Sequence, residues 1–270
     1  MRPARGAAAA RPSHARCPGR GVTIRGVVAT FIVYDELDRC PYLAGHVARL
    51  PLRVPARPLT RLEVDAALAA GDRRQGVFLY RPSCPACRAC EPIRIPVADF
   101  APSATHRRTL RAGDARFRLE IGRPVADGRR AALYARHKWG RGLTTADDHE
   151  ELTDVETYAA FLVETCCESV EFALYDGDTL VSVAVGDRGE RSLSAVYCCF
   201  DPAYEKYSPG TYTILKQWQY CAAEGLDHLY LGLYVADSAH LAYKANFRPH
   251  ERRIEGVWQR FERQPATAAP

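Results

Sequence analysis

The sequence predicts an α/β (α+β) fold, a mixed sheet flanked by helices, with a small N-terminal cysteine-containing module ahead of it. Three observations predict it. Val170–Tyr175, Leu180–Val185 and Leu193–Cys199 are consecutive apolar or alternating runs, and the turn Asp176-Gly177-Asp178 joins the first two as a hairpin. Helical spacing then takes over at Thr211–Glu224, where Leu215, Trp218 and Cys221 share a face, before a strongly apolar strand at His228–Val235. Upstream of these, Cys84, Cys87 and Cys90 recur at a fixed spacing.

The remaining elements follow in chain order. Residues 1–28 are mostly Ala, Arg, Gly and Pro without a period and are expected to be a disordered tail. They share the Arg-rich, acid-free composition of a transit peptide, but their prolines and glycines break the amphipathic helix such a peptide forms. An N-terminal unit over 29–105 comes next. In it Phe31–Pro58, interrupted by Pro41, Gly45, Pro51 and Pro55, reads as an irregular segment. Thr60 with Glu63 forms a capping box for a helix carrying Leu62, Val64, Ala67 and Leu68, and Gly71 ends it. Gly76–Arg81 and Pro92–Val97 are short strands on either side of the cysteines. The C-terminal unit, 106–262, opens with helices at Gly128–Trp139 and Val155–Cys167, the second capped by Asp154. A helix over Ser238–Ala245 and a strand over Arg253–Trp258 close it, and 263–270 reads as a second disordered tail.

Composition narrows the function classes. A chain of 270 residues, 47% hydrophobic and 26% charged, can bury a real core. Val27–Tyr34, its longest apolar stretch, is interrupted by Thr30 and falls short of the roughly 20 residues a membrane helix needs, so no membrane partner is expected. The formal charge of +5 permits a phosphate-bearing partner without requiring one. Ten cysteines and no signal-peptide core point to a reducing, cytoplasmic setting in which metal binding or burial replaces disulfides.

Two x-x spacings in a row place the thiolates of Cys84, Cys87 and Cys90 within reach of one ion, and Cys40 is the fourth ligand nearest at hand. Three or four thiolates suit structural zinc and an iron–sulfur cluster alike; the competing reading is a tight Pro-containing loop packed on small polarizable side chains. The pairs Cys166-Cys167 and Cys198-Cys199 read as core packing, because neighbouring side chains diverge. His106-Arg107-Arg108 and Arg111 suit phosphate oxygens, against the alternative of a solvated loop. The helix-helix-meander-helix-strand order is similar to the acyltransferase fold of the GNAT kind. The turn Tyr204–Gly210 lacks the glycine-rich loop that holds a coenzyme A pyrophosphate, since Pro209 removes one donor and Gly210 is its one glycine. An acetyl-CoA N-acetyltransferase is therefore the weaker alternative.

Several segments together resemble the arginyl/leucyl-tRNA–protein transferase family, in particular its bacterial aspartate/glutamate leucyltransferase branch: Cys40-Pro41-Tyr42-Leu43, Gly71–Gly76, Tyr80–Val97, Phe100–Ser103, Pro209–Leu215, Tyr230–Gly232 and Ala242–Pro249. The resemblance spans about Val33 to Phe261. It implies an aminoacyltransferase that moves an amino acid, leucine or alternatively arginine, from aminoacyl-tRNA to the α-amino group of acceptor proteins beginning with Asp or Glu, creating an N-degron. This sequence departs from the family pattern at Gly232-Leu233-Tyr234 (Gly-Tyr-Trp expected), Ala236 (acidic), His240-Leu241 (Lys-Met) and Ser103–His106 (Ser-Arg-Ser-Gln), which bears on the pocket for the donated side chain.

The ester is already activated, so the chemistry requires no cofactor, and positioning supplies most of the acceleration. Lys244 and Arg248 are the candidates for negative charge on the acceptor or tRNA, with Arg107 and Arg108 for phosphate. Tyr234 and Tyr243 are candidate hydroxyl donors at the chemistry, and Ser208, Gly210 and Thr211 form a candidate helix N-terminus facing the donor. Half-buried packing for the tyrosines and surface ion pairs for Lys244 and Arg248 are the structural alternatives. A metal-bearing nucleic-acid-binding module without catalysis leaves the whole C-terminal half unexplained.

Overall fold

Short strands dominate the first hundred residues of the computed structural model, which describes residues 28–142 and 154–262; the expected tails lie outside them except for Val28. Phe31–Pro58 departs from the irregular segment expected. It contains β1 (Thr30–Tyr34), β2 (Leu37–Arg39), β3 (Val47–Arg49) and β4 (Leu52–Pro55). Pro55 ends β4 and Pro51 immediately precedes it, where a missing N–H costs no ladder bond. Thr30 pairs with Pro55 and Phe31 with Val54, a match between distant segments that no local period reveals.

Helix α1 (Arg61–Ala69) starts at the expected capping box, with the Glu63 N–H donating to Thr60 Oγ1 and the Thr60 N–H to Glu63 Oε2. Its Val64 and Leu68 pack on Leu59, Leu79, Cys166, Cys167 and Tyr230. Strands β5 (Arg73–Gln75) and β6 (Phe78–Tyr80) complete a four-stranded sheet of order β1-β4-β6-β5. Strand β7 (Glu91–Pro96) leaves that sheet for the larger one.

The chain then forms α2 (Ala104–Asp114), β8 (Arg118–Gly122), α3 (Gly128–Gly140) and α4 (Val155–Tyr158), the last running into a single π turn at Ala159–Val163. His106 to Arg111 is thus helical rather than a loop. The predicted helix to Cys167 stops at Val163, because Glu164 turns extended and the Cys166 carbonyl accepts the Leu59 N–H beneath α1. The meander is β9 (Ser169–Asp176), β10 (Thr179–Arg188) and β11 (Ser192–Phe200). After it come α5 (Pro209–Ala223), β12 (His228–Tyr234), α6 (Ala239–Ala242) with a 3-10 turn at Tyr243–Asn246, and β13 (His250–Ile254) and β14 (Val257–Phe261). The strand expected over Arg253–Trp258 is a hairpin. Glu255 and Gly256 take φ of 49° and 88°, the left-handed pair of a type I′ turn.

The eight-stranded mixed sheet runs β14-β13-β7-β12-β11-β10-β9-β8. Its one parallel pair is β11 with β12, matched only from Ser192–Ser194 to His228–Tyr230, after which their backbones no longer pair. Period-two alternation gives each face a core: Phe172 and Ala184 face α5 with Ile93, Leu215 and Leu229, while Ala173, Val183 and Val185 face α3 with Leu133 and Tyr158. The small sheet is pinned to the large one by Arg74. Its Nε donates to both Asp187 carboxylate oxygens at 2.8 and 2.9 Å, and the two side chains are 2% and 5% exposed.

Arg74→Met, which strands the Asp187 charge in the interior, is expected to cost about 3–5 kcal/mol in urea unfolding. The double variant Arg74→Met/Asp187→Leu recovers most of it, because the isolated charge and not the lost pair carries the penalty.

Candidate active site

Two helices begin at the same cleft. The start of α2 is capped by Ser103, whose hydroxyl accepts the His106 N–H at 3.1 Å, and the His106 ring stacks on Phe247 with centroids 4.8 Å apart. The start of α5 is set by Ser208 in a left-handed conformation (φ 52°) followed by Pro209 at the first helical position. Ser208 makes no side-chain cap, so its hydroxyl is not used by the helix. The cleft between these ends, about 310 Å³, is lined by Thr105, Thr109, Ser208, Thr211, Tyr243 and Asn246 with His106 and Phe247 behind them. Unpaired N–H groups and two helix dipoles make it favourable to negative charge.

The structure brings Ser208, Thr211 and Tyr243 together here, with Gly210 in the first turn of α5. Arg107 and Arg108 lie exposed on the first turns of α2, donating to Pro102 O and Thr105 Oγ1. Tyr243 is 39% exposed, while desolvation, with the Cys198 thiol nearby, pushes its hydroxyl up to about 12. It stays a proton donor at neutral pH.

Lys244 follows on the same 3-10 turn and reaches the end of β12, where its Nζ donates to Leu233 O at 2.8 Å. Burial, and then the Arg73 guanidinium, lowers its pKa to about 7. A basic amine with a lowered pKa therefore follows Tyr243 of the cleft in the chain. Tyr234 lies away from the cleft at the last residue of β12, its ring beneath the Arg252 guanidinium at 4.6 Å. Arg248 donates to Ala245 O and Glu262 O, which ties the turn to the end of β14. Sequence reasoning passed over Thr105, Thr109 and Asn246, polar residues with no pattern of their own, and Arg73, hidden in the run Gly71–Gly76.

The four cysteines share a neighbourhood without forming a ligand set. Cys84, Cys87 and Cys90 line a second cleft of about 480 Å³ with Arg81, Arg88 and Arg253. Burial, reinforced by Cys40, Cys84 and Cys87, pushes the Cys90 thiol up to about 12. The other three sulfurs accept backbone N–H groups, Leu43 on Cys40, Arg49 on Cys84 and Ala89 on Cys87, at 3.4–3.5 Å. A closed zinc or cluster site needs its thiolates converging on one point. Among the described residues no three His, Cys, Asp or Glu side chains do so. Zinc or a cluster at Cys40, Cys84, Cys87 and Cys90 is therefore not supported by their placement, although the four thiols lie near one another.

The comparisons with known proteins match this arrangement to a class. Residues 38–108 match the family described as arginine-tRNA-protein transferase, N terminus, and residues 129–254 its C terminus. The chain belongs to the arginine-tRNA-protein transferase family and is an aminoacyltransferase. Within that family it is 37% identical over 223 residues to an aspartate/glutamate leucyltransferase of Thiobacillus denitrificans, covering 83% of this chain and 91% of that one. It is 38% identical over 225 residues to the aspartate/glutamate leucyltransferase of Halorhodospira halophila, covering 82% and 92%. Among solved structures, L-PGS from Bacillus licheniformis is a distant likeness, 12% identical with a TM-score of 0.41 over 58% of this chain and 50% of that one. Among the described residues no helix is long and apolar enough to cross a membrane.

Labelling the protein with 13C-lysine is expected to show the Lys244 ε-carbon titrating with a midpoint near 7. The folded pKa lies below the ordinary 10.5, so the folded chain binds fewer protons than the unfolded one between about 7 and 10.5. The contribution of Lys244 to stability therefore grows as pH rises through that window. A midpoint near 10 would show an exposed ammonium instead.

Proposed function

We propose that this chain transfers leucine from leucyl-tRNA to the α-amino group of proteins beginning with Asp or Glu, a cytoplasmic reaction that marks them as N-degrons. The names of the two relatives support the substrates, and the large mixed sheet serves as a GNAT-like platform. The observation that carries the mechanism is the adjacency of Tyr243 and Lys244: one faces the cleft at the two helix starts, the other holds a lowered-pKa amine at the end of β12.

The donor's terminal nucleotide enters the cleft, its phosphate drawn by the α2 and α5 N-termini and by Arg107 and Arg108. The acceptor α-ammonium, of ordinary pKa about 7.7–8.0, gives its proton to neutral Lys244, a nearly matched transfer. The freed amine attacks the ester carbonyl carbon and a C–N bond forms. The oxyanion is held by N–H groups at Gly210 and Thr211. The C–O bond to the terminal ribose breaks as Tyr243 donates its proton to the departing oxygen and takes up the second proton of the attacking nitrogen, which restores the phenol and leaves a neutral amide. Peptide and uncharged tRNA leave, and no redox step or metal is involved in this scheme.

In single-turnover transfer from charged tRNA, leucine is expected on an acceptor beginning with Asp and not on one beginning with Ala. Arginine appearing in its place would keep the reaction and change the donor, and transfer from neither tRNA would refute it. Lys244→Met is expected to slow transfer on the order of 10²–10⁴-fold. It also removes the rise in rate through about pH 7, while charged-tRNA binding holds.

A further inference from the structure

Arg73 and Arg74 are neighbours on β5, and their fates differ. Arg74 is paired with Asp187, and the same pattern holds around it: Arg53 and Arg81 with Asp72, Arg94 with Glu251, Arg252 with Glu91. Arg73 makes no ion pair with a carboxylate among the described residues. Its Nε and Nη1 are buried without any hydrogen-bond partner, and Nη2 has only a long contact, 3.5 Å, to Ala195 O. Burying a guanidinium this way is costly unless a counter-charge arrives.

The groups around it supply none. Tyr42 is a phenol that burial keeps neutral, and Lys244 is a second nitrogen base. Nor is the location that of a packing filler. Ala195 is the first residue of β11 beyond its pairing with β12, and Gly232 is on β12 just past the same point. The guanidinium thus occupies the gap where the two parallel strands part. It lies so close to the strand that a Cβ on Gly232 would stand 2.1 Å from Nη1, and Gly232 also takes a φ of +88°. The chain has given up a side chain at this position, and the guanidinium lies where one would be.

The geometry points to Arg73 as the specificity residue that receives the side-chain carboxylate of the acceptor's first residue. This rests on the transfer reaction proposed above and names the part of the site that reads the substrate. The guanidinium lies on Gly232 and the Lys244 amine on Leu233 O, neighbouring residues of one strand. In an N-terminal Asp or Glu the carboxylate and the α-ammonium are likewise held apart by a short carbon chain. A carboxylate on Arg73 therefore brings the α-ammonium to Lys244, and a planar fork binds it through two parallel N–H···O bonds. An amide in its place would leave those donors imperfectly paired, which is how a polar pocket rejects an isostere.

The test compares acceptors beginning with Asp and with Asn, otherwise identical, in wild type, Arg73→Gln and Arg73→Lys. The wild type is expected to prefer Asp, and Arg73→Gln to reduce the Asp/Asn ratio of kcat/KM by roughly tenfold or more, mainly through KM for the Asp acceptor. Arg73→Lys retains part of the preference, and affinity for charged tRNA stays within about twofold in both. The ratio is independent of the fraction of folded enzyme. Should Arg73→Gln not fold, the wild type answers: an Asp-beginning peptide slows phenylglyoxal modification of Arg73 and an Asn-beginning peptide does not. An unchanged Asp/Asn ratio, or equal protection by both peptides, overturns the assignment of Arg73 while leaving the reaction intact. Absence of transfer by the wild type to any acceptor overturns the reaction itself.

Discussion

The buried pairing of Arg74 with Asp187 is the contact on which the arrangement of the site depends. It joins a short strand of the small sheet to the middle of the large one, in a place where neither charge can be left alone. Ser169 Oγ donates to the same carboxylate and Arg74 Nη1 to the Gly76 and Glu164 carbonyls, so the pair is enclosed by hydrogen bonds from three segments. Successive residues of a strand point to opposite sides. Anchoring Arg74 on β10 therefore sends Arg73 the other way, into the gap between β11 and β12. Stability at one residue becomes a charge in the site at the next.

The chemistry on the two sides of that gap is different in kind. One side presents hydroxyls and helix N-termini, which favour negative charge. The other presents a guanidinium and an amine whose pKa is lowered by burial. The turn Tyr243–Asn246 separates and connects them, since Tyr243 belongs to the first cleft and Lys244 to the end of β12. That turn is fixed from below by Phe247, which is 1% exposed and packed between His106 of α2 and Phe100. The position of α2 thus bears on the position of Lys244, and the departures from the family pattern at Ser103–His106 fall on this contact.

The cysteines show what a repeated spacing fixes by itself, which is proximity. Cys84 and Cys87 come close enough to Cys90 to reinforce the rise that burial gives its thiol, as the repeated interval implies. Backbone N–H groups also reach sulfurs here, Arg49 at the end of β3 donating to Cys84 and Leu43 to Cys40.

Local signals were legible where the pattern is carried within one element. The meander β9–β11, the apolar β12, helix α5 and the capping box of α1 each declare themselves through periodicity or through a residue with one conformational use. Helix α2 did not, because its first turns carry His106, Arg107 and Arg108, and its apolar contact rests largely on Leu110. Strands β1 to β4 did not, because each is too short to show a period and is stabilised by a partner far along the chain. In the site, Ser208, Thr211 and Tyr243 were nameable from their motifs, and the structure gathers them in one cleft, while Tyr234 and Arg248 lie outside it. By itself the sequence determined the elements whose pattern is local, the family and the residue types available for the chemistry. The tertiary structure alone decided which of two adjacent arginines is neutralised and which is left facing the gap between β11 and β12. The physical reason is that a charge acquires its meaning from what surrounds it in space, and Asp187 is brought to Arg74 only by the fold.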